Sequence, residues 1–354
     1  MSASPLQVRR LGLVEYRDGR ELQRQFQEAR KAGVVPDTLL LLEHPPVLTL
    51  GRGARQTNII APAERLAALG VETFDTDRGG DVTYHGPGQI VGYPLLHLGP
   101  GKQDVRKYVR SIEELMIRTV GEFGITATRI EKWPGVWVEK SRRGGPRKIA
   151  ALGVHLSRWY TKHGFALNVA PELSHFELIV PCGIREAGVT SIADETGVTQ
   201  RLSDVEAALM HHARAVFDCE PLEVPCERAT VSVTVRDEAG RVLLLKRTEA
   251  RGGFWQPVTG SIERHESAWD AATRELTEET GLSVAVRALS YEHAFALRDD
   301  RPPVVCRETA FGARASGAIV IDQREHSEFA WLSADEALSR VPHAGLARSI
   351  RLSA

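Results

Sequence analysis

The chain has 354 residues, more than one hydrophobic core usually organises, so two domains are the starting expectation. Its 42% hydrophobic and 26% charged content is that of a globular protein, and a formal net charge of -1 offers no broad surface for nucleic acid or an anionic membrane. No apolar stretch is long enough to span a bilayer, and the N-terminal MSASPLQVRR lacks the core of a secretory signal. Four cysteines without zinc-like spacing (Cys182, Cys219, Cys226 and Cys306) fit a reduced, cytoplasmic protein.

In chain order, residues 22–32 and 105–123 have helical spacing, while 39–42, 136–138 and 149–155 read as strands. Two loops with unusual chemistry interrupt them, RGGDVTYHGPGQ (78–89) and the basic SRRGGPRK (141–148). A helical stretch over 202–216 is followed by FDCEPLEVPCER (217–228), whose prolines and charges mark a seam. Beyond it, residues 229–235 alternate, DEAG supplies a turn and 241–246 resumes as a strand, which is a hairpin signal. The expected organisation is α+β, with a first domain over 1–222 and a second over 223–354.

The strongest chemical signal lies in the second domain. Ser267 and Asp270 form a capping-box pattern that opens a helix, Gly281 suits its C-terminal end, and Ala268, Ala272 and Leu276 give it an apolar stripe. Glu275, Glu278 and Glu279 then stand at i, i+3 and i+4, so three carboxylates share one face. Such a cluster on its own is usually a solvated acidic surface, and a hard divalent cation would relieve its repulsion. Together with Gly260, Glu266, Arg274 and the closing Gly281, the string resembles the Nudix box at each of its specified positions.

That resemblance implies an α/β/α sandwich that hydrolyses a diphosphate bond with Mg or Mn. Glu275, Glu278 and Glu279 would be metal ligands or the base acting on the attacking water, with Gly260 offering a carbonyl. Arg274 would orient the carboxylates and Glu266 would brace the loop. Glu325 is the candidate for a further metal ligand, with Glu328 as competitor. The FWQPVTGS lead-in (254–261) is similar to that of dihydroneopterin triphosphate pyrophosphatases. There Trp255 could stack on a heterocycle and the Lys246–Arg247 pair could meet a small-molecule triphosphate, although plain core packing of Phe254 and Trp255 stays open. A non-catalytic nucleotide sensor is the alternative, but sensors usually lose box carboxylates and none is missing here.

In the first domain, Cys182 sits in IVPCGI (179–184), a setting that more often holds a buried small hydrophobe than a nucleophile. Lys148, set against the apolar run IAALGV after a basic loop, is a candidate base. RGGDVTYHGPGQ, EHPPVLTLG (43–51), KIAALG (148–153), HGFALN (163–168) and PCGI with VTS (189–191) occur in the order of the lipoyl (octanoyl) transferases. The resemblance covers nearly all of residues 8–218.

It implies a mixed sheet with helices like that of biotin and lipoate protein ligases, and no cofactor. Octanoate would pass from acyl carrier protein to Cys182 and then to a lysine on lipoyl domains of 2-oxoacid dehydrogenases or on the glycine-cleavage H protein. Lys148 would activate the thiol. Arg78, Gly80, Tyr84, His85 and Gly153, with His163 and Asn168, would bind substrate, though His85 could instead only brace its loop. Arg142, Arg143, Arg147 and Lys148 could help dock acidic partners. An ATP-dependent lipoate or biotin ligase is the competitor; such ligases keep the lysine but need no cysteine.

Overall fold

In the computed structural model, which describes residues 4–131, 133–180, 188–297 and 302–354, the chain divides chiefly between Pro225 and Cys226 into two units. The first begins with β1 (Ser4–Leu13), α1 (Tyr16–Lys31), β2 (Asp37–Glu43), β3 (Val47–Leu50) and α2 (Ala63–Ala68). It continues through β4 (Glu72–Asp75), β5 (Val82–His85), β6 (Gln89–Leu95), α3 (Val105–Gly121), β7 (Thr128–Ile130) and β8 (Trp133–Val138). Then come β9 (Arg147–Ser157), β10 (Tyr160–Asn168), β11 (Gly188–Val189), α4 (Ile192–Thr196), α5 (Leu202–Phe217) and β12 (Cys219–Glu223).

Among the described residues the main sheet runs β12-β1-β2-β6-β10-β9-β8-β7, with β11 beside β9, and β4-β3-β5 form a small second sheet. Leu39, Leu40, Leu41 and Leu42 are all buried, so β2 is covered on both faces and its apolar run is continuous rather than alternating. Asp104 starts α3 by accepting the Lys107 N–H at 3.0 Å, and α3 and α5 bury Ile112, Leu115, Met116 and Leu209 against the sheet. This is the mixed sheet with helices that the motifs implied.

The second unit holds β13 (Arg228–Arg236), β14 (Val242–Arg247), β15 (Trp255–Gln256), β16 (Val258–Ser261) and α6 (Ala268–Thr280). It ends with β17 (Val286–Ala296), β18 (Val305–Arg314), β19 (His326–Leu332), α7 (Ala334–Arg340) and α8 (Ala344–Leu352). Val231, Val233, Leu243 and Leu245 pack with Ala271, Ala272 and Leu276 of α6. The alternate positions Val242 and Leu244 pack with Ala337, Leu346 and Ile350 of α7 and α8. That alternation makes the expected α/β/α sandwich. The expected hairpin is present but short: β13 and β14 pair antiparallel at Arg236 and Val242 around the Asp237–Gly240 turn, because β16 takes the same edge of β13 over Thr230–Val233. No helix of the described residues is long and apolar enough to cross a membrane.

Close approach in the first unit depends on glycine. A Cβ on Gly164 of β10 would lie 2.2 Å from the Gly92 carbonyl oxygen and 2.5 Å from Pro94 Cδ, and one on Gly153 of β9 would lie 2.7 Å from the Gly79 carbonyl oxygen. Backbone cannot swing aside as a side chain can. Gly164→Ala should therefore destabilise the first unit by about 1–3 kcal/mol, lowering its melting temperature by several degrees. Calorimetry of the full chain checks this; a Gly164→Ala protein that melts with the wild type refutes the close-packing argument.

Candidate active sites

The loop 78–89 returns from β4 to β6 across the small sheet, and hydrogen bonds fix its chemistry. Arg78 is buried and donates to the Thr49 carbonyl at 2.5 Å and to the Thr49 hydroxyl at 3.0 Å. Asp77, just ahead of it, accepts from Lys162 Nζ at 2.6 Å and meets His163 Nε2 at 2.7 Å. Partial burial opposes ionisation, but these two partners hold the Asp77 carboxyl well below the usual carboxylate range. His163 keeps a left-handed backbone, φ 60°, while its N–H donates to Gln23 Oε1 at 2.8 Å.

His85 is buried, and burial pushes its imidazole down to about 3, so it is neutral. A relay runs onward from it. His85 Nδ1 lies 2.6 Å from Gln89 Oε1, Gln89 Nε2 donates to Asn168 Oδ1 at 2.8 Å, and Asn168 Nδ2 donates to the Thr190 carbonyl at 2.9 Å. The amide orientation of Gln89 makes His85 Nδ1 the donor and leaves Nε2 as the acceptor, 3.5 Å from the Thr49 hydroxyl. The Thr190 N–H donates to the Lys148 carbonyl at 3.0 Å, which closes the relay on the lysine strand.

Arg78, Gly80, His85, Gly153 and His163 line one cleft. Lys148, Asn168, Gln89 and Val189 line an adjoining small pocket that shares Thr83 and Ala151 with it. Lys148 is buried on β9, its Nζ 4.8 Å from the Trp137 ring centre. Tyr84 is a correction. Period-2 alternation on β5 turns it away from the cleft that Thr83 and His85 line, into the core with Leu48 and Phe176, where its hydroxyl meets His175 Nδ1 at 2.8 Å.

Cys182 lies outside the described residues. The chain on either side of it is placed: the Val180 N–H donates to the Asn58 carbonyl at 2.8 Å, and Val189 of β11 pairs in register with Lys148. In the basic loop, Arg143 pairs with Asp194 at 3.0 Å and the Arg142 N–H donates to Glu195, so α4 takes up part of the loop's charge. Asp77 and Gln89 were not singled out from sequence. An isolated Asp before an Arg, or a Gln at a strand start, carries no distinguishing pattern.

In the second unit Ser267 caps α6 by accepting the Asp270 N–H at 3.1 Å, and Gly281 ends it with φ 71°. Arg274 organises the acidic face. It donates to Glu266 at 2.9 and 3.0 Å, to Glu275 at 2.8 Å, to Glu278 at 3.1 Å and to the Ser261 carbonyl at 3.0 Å. Glu275 lies so close to Gly260 that a Cβ there would sit 1.8 Å from its carboxyl carbon. Only glycine fits beneath the carboxylate.

Glu279 is buried. Desolvation, then the neighbouring Glu275, push its carboxyl up to about 8, against the Thr259 N–H at 3.4 Å. Burial also raises Glu275. His326 is fully buried with Nε2 3.9 Å from Glu279, and burial lowers it to about 4, so it supplies no cation. Two neighbouring carboxyls raised by burial, with Glu275, Gly260 and Glu325 lining one cleft, suit a divalent cation that prefers oxygen donors.

Glu325 lines that cleft and accepts from Arg251 at 3.1 Å, whereas Glu328 pairs with Lys246 at 2.8 Å. The basic pair is thereby split: Arg247 lines the cleft and Lys246 is taken by Glu328. Trp255 is a second correction. It packs against the cluster of Val242, Leu244 and Leu332 with the Arg340 guanidinium over its ring, leaving Phe254 and Gln256 on the cleft.

The comparisons with known proteins agree with this division. Residues 15–214 match the lipoyl protein ligase A/B catalytic domain and residues 227–351 the NUDIX domain. The chain is 50% identical over 348 residues to an octanoyltransferase of Myxococcus xanthus, spanning 97% of this chain and 98% of that one. An octanoyltransferase of Solibacter usitatus is 51% identical over 215 residues, 61% of this chain and 94% of its own. Among solved structures, the E. coli dihydroneopterin triphosphate pyrophosphohydrolase is 24% identical over 36% of this chain and 94% of its own, with a TM-score of 0.33. The chain belongs to the octanoyltransferase family, an enzyme whose lipoyl protein ligase A/B catalytic domain is followed by a Nudix hydrolase domain.

Proposed function

We propose that the first domain moves octanoate from an acyl carrier protein thioester to a lipoyl-domain lysine through a Cys182 thioester. The observation that supports it is the register of β11 on β9, which lays Gly188 and Val189 alongside Arg147 and Lys148. The Cys182 thiolate adds to the thioester carbonyl, the carrier thiol leaves with a proton, and octanoyl-Cys182 forms. The acceptor amine then attacks that carbonyl, the amide forms and the Cys182 thiol is released. Lys148 takes the thiol proton in the first step and the amine proton in the second. Neutral His85, fixed through Gln89, and Arg78 shape the adjoining cleft for the acyl chain.

Octanoyl transfer from octanoyl-carrier protein to an unmodified lipoyl domain should proceed without ATP and leave a Cys182 adduct visible by mass spectrometry. Cys182→Ala should abolish the adduct, and Lys148→Gln should slow transfer by about 10²–10⁴-fold. An absolute ATP requirement, or wild-type rates from Cys182→Ala, would replace this reading with the ligase one.

For the second domain we propose hydrolysis of a diphosphate bond in a nucleoside- or pterin-type triphosphate. Glu275, Glu278 and Glu279, with the Gly260 carbonyl and Glu325, would hold Mg or Mn. The cation would neutralise the substrate phosphates and polarise phosphorus. Glu275 takes the proton of the attacking water, and Arg247 and Arg251, which line the same cleft beside Glu325, meet the phosphates. Release of pyrophosphate or phosphate from a triphosphate panel tests this, and a full chain inert across the panel favours a sensor.

Glu279 makes a separate, metal-free prediction. With its carboxyl near 8 rather than the ordinary 4.5, the native state keeps a proton that the unfolded chain loses. The metal-free domain should lose stability as pH climbs from about 4.5 to about 8. Glu279→Gln should be relatively more stable at pH 8.5 than at pH 5 by about 1–3 kcal/mol, measured by denaturant melts in EDTA, while losing metal-dependent hydrolysis. A pH-independent difference between the two proteins contradicts it.

A further inference from the structure

The cleft of the second domain extends beyond the box carboxylates to a group of polar residues that the hydrolytic reading leaves unused. Strand register lays them in one row across the sheet. Ser261 of β16 pairs with Thr230 of β13, Thr230 pairs with Glu308 of β18, and Glu308 pairs with His293 of β17. All four line the cleft. At about 4.8 Å per strand, Glu308 stands about 10 Å across the sheet from the Gly260–Ser261 strand. That is the separation between a heterocycle and the phosphates it carries through a sugar.

Glu308 and His293 are each only 3% exposed. Their nearest approach, His293 Nε2 to Glu308 Oε1, is 3.6 Å, too long for a good hydrogen bond. Among the described residues Glu308 Oε1 and His293 Nδ1 have no partner at hydrogen-bond distance, and the carboxylate's side-chain support comes from the hydroxyls of Ser232 and of Thr230, the latter 3.5 Å from Oε2. Burial pushes the Glu308 carboxyl up to about 7. Polar atoms left without partners in a folded interior are destabilising, and a ligand that meets them gains accordingly.

The walls around them are flat and aromatic. His293 is stacked between Tyr291 and Phe295 along one face of β17, with ring centres at 5.1 and 5.7 Å. Phe295 and Phe254 line the cleft, and Phe254 meets His343 edge-on at 5.1 Å. Gly345 of α8 lets the helix seat on the imidazole, since a Cβ there would lie 1.9 Å from His293 Nε2.

We propose that Glu308 binds the donor edge of a 2-amino-4-oxopyrimidine ring, the edge that guanine and pterins share, and so selects the substrate of the second domain. This rests on the triphosphate-hydrolase reading of that domain. A carboxylate presents two acceptors side by side, which match the adjacent ring N–H and exocyclic amino group of that edge. Adenine and cytosine place a ring acceptor next to their amino group and repel it. Hypoxanthine, lacking the 2-amino group, satisfies only one oxygen.

The test measures binding apart from cleavage. The full chain with Mg is titrated by calorimetry with the α,β-methylene analogues of guanosine and inosine triphosphate. The guanine analogue should bind at least about tenfold more tightly, and Glu308→Gln should bring the two within about twofold. Equal wild-type affinities, no binding of either analogue, or a guanine preference unchanged in Glu308→Gln would overturn the proposal; the wild-type comparison needs no variant to fold. Displacement of the guanine analogue by dihydroneopterin triphosphate separates the sources: stronger displacement than by GTP identifies a pterin occupant, weaker a purine nucleotide, and either keeps the edge. A guanine preference with no cleavage of either triphosphate refutes the hydrolase reading alone. Cleavage of GTP and ITP with equal kcat/KM refutes the role of Glu308 alone.

Discussion

A carboxyl group taken out of water stays ionised only if a cation or several donors meet it, and both halves of this chain are organised around that constraint. In the first, Asp77 is met by Lys162 and His163, and this anchors the start of the glycine-rich loop to β10. In the second, one guanidinium serves three carboxylates, so Arg274 ties the loop bearing Glu266 to the helix bearing Glu275 and Glu278. Glu279 and Glu308 are the exceptions. Both are buried and raised toward neutrality, one beside the metal candidates on α6 and one beside His293. Groups left short of partners in a folded domain are where an incoming ligand gains most.

Steric exclusion does the complementary work. Gly153 and Gly164 bring β9 and β10 against the backbone of the Arg78 loop and of β6, and Gly260 brings β16 under Glu275. At Gly153 and Gly164 the neighbour is backbone, so the glycine-rich loop is located by backbone contact, whereas at Gly260 it is the Glu275 side chain that fills the space of the missing Cβ. Packing then holds them: α3 and α5 cover one sheet, and α6 and α8 the two faces of the other.

Much of this was legible in the amino-acid order. Capping at Ser267 and Gly281, the alanine–leucine stripe of α6 and the clustering of three glutamates all follow from helical periodicity, a local property. Side-chain direction on short strands was not legible. Tyr84 and Trp255 lie in motifs rich in functional residues, yet strand alternation turns Tyr84 into the core and Trp255 onto the cluster beneath α7 and α8. Lys246 and Arg247 are adjacent in sequence but part company, because neighbours in a strand face opposite ways.

What the sequence determined by itself is therefore the local and the covalent: two domains, the box helix, and the motif order shared with the octanoyltransferases. What tertiary structure decided is everything that joins distant segments. The relay from His85 through Gln89 and Asn168 to Thr190 spans residues more than a hundred apart, and the row from Ser261 to His293 exists only through strand register. Neither leaves a signature in spacing along the chain. A register is chosen by burial summed over a whole sheet, and which polar atoms meet, or remain without partners, follows from that sum rather than from any one residue's neighbours.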